Sequence, residues 1–129
     1  MAIDIKYEPE KGYLYISVKG QCTVEDYEKA MEEIKHSKQY PANINALWDV
    51  REQNFSNVTK STVQSLVNVS KRYPERGSAK AAFIVNGDLA FGMLRMYEIT
   101  SSVEQNKTSQ YLRVFRNYSE GEKWLLDDN

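Results

Sequence analysis

The sequence contains few of the residues that cross-link a chain or coordinate a metal. Its 129 residues include one cysteine and one histidine, which excludes an internal disulfide framework and a His/Cys metal cluster. No stretch approaches the roughly 20 consecutive apolar residues of a membrane-spanning helix. The first residues show no basic region followed by an apolar run, so we expect a cytoplasmic protein.

An excess of charge of one sign is also missing. The 17 basic and 18 acidic residues give a net charge of -1, and the largest local excess is six basic against two acidic residues in 51–80. Domains that bind nucleic acid usually have a much stronger basic bias, so we do not expect nucleic-acid binding. The length and the 41% hydrophobic fraction fit one globular domain that spans residues 1–129.

The first half of the chain predicts three strands and a helix. Residues 3–7 and 13–18 are β-rich runs on either side of a Pro- and Gly-containing connection, which is typical of a hairpin. Thr23 is a plausible N-cap for an amphipathic helix over 24–35. Residues 44–50 form a third strand, apolar enough to be covered on both faces. Strand, helix and strand in this order predict a parallel pair with a right-handed crossover.

The second half continues the alternation of helices and strands. The predicted elements are a helix over 58–73, a strand over 79–85, a helix over 89–103, a strand over 111–116 and a short final helix. Ser56 or Thr59 is expected to cap the first of these helices, and Ser119 the last. A polar linker is expected over 104–110. The predicted fold is therefore α/β, with an N-terminal hairpin, αβαβαβα order and a mixed sheet of about five strands.

The third helix carries apolar residues on more than one face. One stripe is predicted to face the sheet, with Gly92 beside it to allow close approach: Leu89, Met93, Met96, Thr100 and Val103. Most of the remaining large side chains are expected on the other side: Phe91, Leu94, Arg95 and Glu98. Because exposed apolar patches usually mark contacts, we expect this second side to be covered by another group or by a second subunit.

Several segments of the sequence, taken together, resemble the SpoIIAA-like (STAS-like) family. They are residues 47–51, residues 90–98, and residues 114–116 ahead of 122–125. The resemblance covers nearly the whole chain and implies a mixed sheet with helices packed on it. It also implies a non-catalytic role, since the better-understood STAS relatives antagonise anti-sigma factors through a switch serine or are appended to transporters or sensors. Ser56 or Thr59 follows the central strand as that serine does, but the surrounding Asp-Ser-Gly type motif is absent.

The carboxyl ends of the parallel strands are the predicted site. Loops that leave these ends share one edge of the sheet, which would gather residues 21–23, 51–56 and 86–88. Asp49 and Arg51 are two positions apart on a strand and therefore lie on the same face. They could present a carboxylate and a guanidinium to a ligand, or they could form a structural ion pair. Both interpretations are open at this point.

The third helix offers the other candidate site residues. Arg95 and Glu98 are three positions apart and can pair with each other. They could instead border an apolar pocket or a dimer contact together with Phe91, Leu94 and Tyr97. No catalytic group is expected: Cys22 has no neighbouring histidine, and the acid/base pair and nucleophile that an enzyme needs are not recognisable.

Two functions are therefore expected in order of preference. The first is a non-catalytic STAS-like regulatory or protein-interaction domain, homodimeric and with a possible regulatory protein partner. The second is a binder of a small amphipathic or lipid-like molecule, held between the third helix and the sheet with Arg95 or Arg51 at an anionic head group. The residues expected to contact ligand or partner are Asp49, Arg51, Phe55, Ser56, Thr59, Phe91, Leu94, Arg95, Tyr97 and Glu98. Neither a metal nor a cofactor is expected.

Overall fold

The predicted order of elements is confirmed by a computed structural model, which describes residues 2–104 and 111–127. The strands are β1 (Ile3–Glu8), β2 (Tyr13–Gly20), β3 (Ala46–Gln53), β4 (Lys80–Ile84) and β5 (Tyr111–Phe115). The helices are α1 (Val24–His36), α2 (Lys60–Ser70), α3 (Asp88–Glu104) and α4 (Tyr118–Leu126), with short 3₁₀ helices at Pro9–Lys11 and Pro74–Arg76. Thus β3 runs three residues further than predicted, so Arg51 lies within the strand.

The five strands form one mixed sheet in the order β1-β2-β3-β4-β5. β1 is antiparallel to β2, and the other neighbouring pairs are parallel. Successive right-handed crossovers in one direction place their helices on the same side of a sheet. Accordingly α1, α2 and α3 cover one side, here called the front face, while α4 packs on the opposite side, the back face.

The strand β3 shows how the two faces are built. Ala46 to Val50 are all buried, as expected for a central strand covered on both sides. Trp48 and Val50 belong to the larger apolar core of the front face, and Leu47 belongs to the smaller core beneath α4. Because side chains alternate along a strand, Asp49 falls on the back face with Leu47.

The helix N-termini follow the expected chemistry with one correction. Thr23 caps α1, where its hydroxyl accepts a hydrogen bond from the Asp26 amide at 3.0 Å. Thr59 caps α2, which decides between Ser56 and Thr59. The predicted cap at Ser119 is wrong, because α4 begins two residues earlier than that cap implies and the Asn117 side chain accepts from the Glu120 amide at 3.2 Å. Asparagine is among the strongest N-caps, which favours this earlier start.

The orientation of α3 also differs from the prediction. Leu89 and Val103 were expected to face the sheet, but they are 53% and 75% exposed, and Gly92 is exposed as well. The side of α3 that is buried consists of Ala90, Leu94, Tyr97 and Ser101. This side of α3 is buried because the Tyr97 hydroxyl is hydrogen-bonded and because Ala90 and Ser101 are small, rather than through hydrophobicity alone.

α3 is the longest of the described helices, with 17 residues. Neither α3 nor any other helix in residues 2–104 and 111–127 is both long and apolar enough to cross a membrane. The predicted polar linker that follows α3 lies outside the described residues, apart from Glu104 at the end of the helix.

Candidate functional site

An apolar pocket lies between the front face of the sheet and the three helices, near the carboxyl ends of β2 and β3. Its lining includes Val18 and Val50 from the strands, Val63 and Leu66 from α2, and Met93 and Leu94 from α3. The cavity volume is about 40 Å³, well below the roughly 300 Å³ at which ligand pockets begin. In this conformation the pocket therefore accommodates a small group rather than a drug-sized ligand.

Four aromatic side chains form one wall of this pocket. Trp48 stacks on Phe83 with ring centroids 5.4 Å apart, and Tyr27 lies 5.3 Å from Trp48. Tyr97 meets Phe83 and Tyr27 edge to face, at 6.1 and 6.4 Å. These separations are those of aromatic rings in direct contact. The four rings consequently leave no space for a ligand between them and provide a packed wall.

Behind the aromatic wall, three buried hydroxyl groups connect α1, α2 and α3. Tyr97 Oη lies 2.8 Å from Tyr27 Oη and 2.5 Å from Ser70 Oγ. Ser70 Oγ donates to the Leu66 carbonyl at 3.1 Å. Burial raises the pKa of Tyr97 well above its usual value, so this hydroxyl stays protonated and can donate. One side chain from each helix thus enters the same network, here called the hydroxyl triad (Tyr27, Ser70 and Tyr97).

The connection between β3 and α2 closes the pocket at the edge of the sheet. Phe55 is buried, and together with Val58 its side chain lines the pocket. The Asn54 amide donates to the Gly20 carbonyl at 2.8 Å, while Asn54 Oδ1 accepts from the Ser56 amide at 2.9 Å. The side chain of Ser56 is left exposed. This connection therefore has an inner side that belongs to the core and an outer side that displays a hydroxyl.

Asp49 and Arg51 lie on the same face of β3, as predicted, but on the back face and away from the pocket. The guanidinium donates twice to the carboxylate, with Nε 2.9 Å from Oδ1 and Nη2 2.8 Å from Oδ2. Tyr15 Oη donates to Asp49 Oδ2 at 2.6 Å. The Arg51 guanidinium, with a smaller effect from Tyr15, lowers the pKa of Asp49 to about 2. Both carboxylate oxygens are engaged, which favours the structural ion pair over a ligand contact.

This ion pair belongs to a larger polar group that joins α4 to the sheet. The Arg51 guanidinium lies 5.6 Å from the centre of the Tyr118 ring, within range of a cation–π contact. Tyr13 donates a short hydrogen bond to Glu122, and its Oη is 3.3 Å from Tyr118 Oη. We call these residues the back-face cluster: Tyr13, Tyr15, Asp49, Arg51, Tyr118 and Glu122.

The charged residues of α3 contact β5 rather than the pocket. Arg95 pairs with Glu98, as expected from their spacing. Glu98 Oε1 also accepts from the Val114 amide at 3.2 Å, so the carboxylate occupies one donor of the edge strand. The guanidinium of Arg116 lies over the Phe91 ring, with its central carbon 4.2 Å from the centre of that ring. These contacts leave Leu94 and Tyr97 as the predicted α3 residues that border the pocket.

The single cysteine and the single histidine are not chemically activated. Cys22 lines the pocket, and burial raises the pKa of its thiol to about 12, which removes the thiolate that nucleophilic catalysis requires. His36 lies exposed at the end of α1, where Nε2 is 3.0 Å from Glu32 Oε1. Among the residues that the structure describes, no three His, Cys, Asp or Glu side chains are grouped as a metal site.

Comparison with known proteins gives one informative likeness. No protein-family model matches the chain, and no curated protein matches it. Among solved structures, the chain is similar to an uncharacterized protein from the DUF3478 family with a SpoIIAA-like fold, from Shewanella loihica PV-4. The TM-score is 0.60 at 20% sequence identity, over 96% of this chain and 92% of that one. The chain has a SpoIIAA-like fold. The resemblance expected from the sequence is thereby confirmed at the level of the fold.

Within the SpoIIAA-like fold, the predicted site residues separate into four groups. Phe55, Leu94 and Tyr97 line the pocket, and Ser56 and Thr59 lie on its outer edge. Asp49 and Arg51 lie on the back face. The remaining residues lie on the side of α3 next to β5: Phe91, Arg95 and Glu98. Sequence reasoning missed Trp48 and Phe83 as pocket residues. The signal was present for Trp48, because it alternates with Asp49 on a strand and must face the opposite side of the sheet.

Proposed function

We propose that this SpoIIAA-like chain works as one non-catalytic, cytoplasmic STAS-like domain that regulates other proteins through binding. The observation that carries the proposal is the two-sided connection between β3 and α2. Phe55 anchors it in the core, while Ser56 is exposed just before the α2 cap at Thr59. An exposed polar segment held in one conformation by a buried aromatic residue suits a recognition surface, because little conformational entropy is lost on binding.

The states of Asp49 and Cys22 support a binding role over an enzymatic one. In the described residues, Asp49 is satisfied by Arg51 and Tyr15, and the high pKa of Cys22 keeps its thiol protonated. General acid–base catalysis needs groups with pKa values near the working pH and a free side towards the substrate. Neither Asp49 nor Cys22 meets that requirement.

Affinity capture with matched serine variants tests this proposal. We expect the tagged protein to retain a specific partner from cells of its own source, and Ser56→Arg to lose that partner. Ser78→Arg is the matched control, since Ser78 is also an exposed loop serine but precedes β4, at the opposite edge of the sheet. Equal retention by the two variants, or failure of the wild type to retain any partner, would contradict the proposed surface.

A second candidate function, the binding of a small amphipathic molecule, is supported by the pocket itself. Its lining is almost entirely apolar and lies between α3 and the sheet, in the position expected from the sequence. Its volume of about 40 Å³ is well below the roughly 300 Å³ at which ligand pockets begin. A lipid-like chain would therefore enter only if the Phe55 connection or the helices moved outward.

Native mass spectrometry and thermal shift measurements test the second candidate. If the pocket takes such a ligand, freshly purified protein should carry extra mass, or fatty acids should raise its Tm. Met93→Trp should remove the effect by filling the pocket, whereas Met96→Trp should not, since Met96 is outside the lining. An unchanged Tm with fatty acids and no retained mass would eliminate this function.

A further inference from the structure

The outer side of α3 carries an apolar stripe with the spacing of a helix–helix seam. Its members recur at intervals of three and four residues: Leu89, Gly92, Met96, Ile99 and Val103. Leu89, Ile99 and Val103 are 50% to 75% exposed, and they are three of the five large exposed apolar side chains among the described residues. Alternating three and four residue intervals place side chains in one line, as in the a and d positions of a coiled coil. We call these five residues the α3 stripe.

We infer that the α3 stripe is the contact surface between two copies of this chain, paired about a two-fold axis. The inference rests on the proposed function as a binding domain and adds to it a homodimer with a defined contact surface. A symmetric pair needs a patch that complements itself. Two identical seams of this spacing do so, because the side chains of one helix enter the gaps of the other.

Gly92 is the small residue in the stripe that close pairing of two helices requires. A Cβ built at this position would meet no atom within 4 Å, so the surface is open above the glycine. Inside a helix, glycine is less favourable than alanine by roughly 0.5–1 kcal/mol. Among the described residues, no neighbour requires its small size, whereas a closely approaching second helix would.

The charges that border the stripe are already paired within the chain. Arg95 is bonded to Glu98, and Asp88 lies 3.0 Å from Arg116. α3 has no lysine, and Arg95 is its single basic residue. Helices that lie on anionic membranes present several lysines or arginines beside their apolar side. The stripe therefore fits an uncharged, apolar partner such as its own copy better than a lipid surface.

The dimensions of the stripe set the expected strength. From Leu89 to Val103 it extends about 21 Å along a helix roughly 10 Å wide. This footprint is smaller than the roughly 800 Å² that each partner buries in a stable complex. The dimer should therefore form reversibly and depend on protein concentration.

Sedimentation velocity over a concentration series tests the inference with two matched variants. The wild-type mass should rise from one chain towards two as the concentration increases. Ile99→Lys should weaken the association about tenfold or more, because it buries an unpaired ammonium group in the seam. Leu126→Lys is the control, since Leu126 is similarly exposed, at 56% against 50%, but lies on α4. Both positions are on the surface, so circular dichroism should show that both variants fold.

A disulfide trap gives an independent measurement. In a Cys22→Ser background, Met96→Cys at the middle of the stripe should form a covalent dimer under mild oxidation, whereas Leu126→Cys should not. The inference is overturned if the wild type stays monomeric throughout, or if Ile99→Lys and Leu126→Lys associate as the wild type does. It is also overturned if the wild type stays monomeric and binds lipid vesicles in a manner that Ile99→Lys abolishes. Because Ser56 is outside the stripe, a wild-type protein that stays monomeric but still captures its partner would reject this contact surface and leave the proposed function intact.

Discussion

The two faces of the sheet are held by different kinds of interaction. The front face is covered by three helices over a continuous apolar core, and its buried polar contacts converge on the hydroxyl triad. Among the described helices, α4 alone covers the back face, where charged and phenolic groups that range from buried Tyr13 to half-exposed Arg51 supply the polar contacts. Apolar packing can leave a cavity between helices, whereas paired charges hold one geometry. This difference explains why the pocket is on the front face and why both carboxylate oxygens of the ion pair on the back face are already hydrogen-bonded.

Two adjacent residues of β3 make the contrast explicit. Trp48 packs between Tyr27 and Phe83 on the front face, and its indole nitrogen has no hydrogen-bond partner within the described residues. Asp49, one position later, has both oxygens hydrogen-bonded on the back face. Leaving a buried N–H unpaired is unfavourable. Trp48 therefore stabilises the core through its volume and ring surface.

The largest difference between the faces should come from the two tryptophans. Trp48→Ala should lower the free energy of unfolding by about 3–5 kcal/mol, the usual cost of emptying a buried aromatic site. Trp124→Ala, its counterpart on α4, should cost only about 1–2 kcal/mol because part of that ring already contacts water. Urea denaturation followed by circular dichroism measures both. Equal losses would mean that the packing of Trp124 on the back face stabilises the fold as much as the packing of Trp48 in the front core.

The sequence carried enough information for the elements and their order. Strand–helix–strand repeats with apolar strands predict parallel pairing, and the alternation along β3 correctly placed Asp49 and Arg51 on one face. The alternation did not reveal which face of the sheet carries Asp49 and Arg51, because both sides of a central strand are apolar. Residues at the carboxyl edge of a sheet are expected to lie close together. The ion pair and the pocket nevertheless lie on opposite faces, so the sheet itself separates them.

The orientation of α3 was harder to predict for a physical reason. Hydrophobicity favoured the stripe with Leu89 and Val103, but the buried side contains Tyr97 and Ser101. Tyr97 is buried because Tyr27 and Ser70, from two other helices, satisfy its hydroxyl. Such a partnership joins residues up to 70 positions apart and leaves no local pattern. The same limit applies to the pocket, whose walls come from both strands and helices.

The two helical glycines should give effects of opposite sign and intermediate size. A Cβ at Gly121 would clash with Ile84 Cδ1. Overpacking in Gly121→Ala should therefore destabilise the fold by about 1–3 kcal/mol, offset by about 1 kcal/mol from better helix propensity. Gly92→Ala meets open space and should stabilise by about 0.5–1 kcal/mol. Thermal unfolding at low protein concentration measures both.

A double variant identifies the cause of the Gly121 effect. Ile84→Val removes the Cδ1 methyl group and costs about 0.5–1.5 kcal/mol alone. Combined with Gly121→Ala it should cost less than the sum of the two single changes, because the clashing atom is gone. Strict additivity would show that α4 is not held against β4 at this point.

The back-face ion pair should have a small effect on stability that depends on pH. The folded pKa of Asp49 is about 2, below its ordinary value of 3.8, so between these values the unfolded chain binds more protons. The pair therefore stabilises the fold fully above about pH 5, and this contribution is lost as the pH falls towards 2. Because Arg51 is about half exposed, we expect about 1 kcal/mol. Asp49→Asn should lower stability at pH 7 by that amount and flatten the acid limb of a pH series, while Asp4→Asn, on an exposed position of β1, should change neither. An unchanged acid limb in Asp49→Asn would mean that the ion pair does not contribute to the stability of the fold.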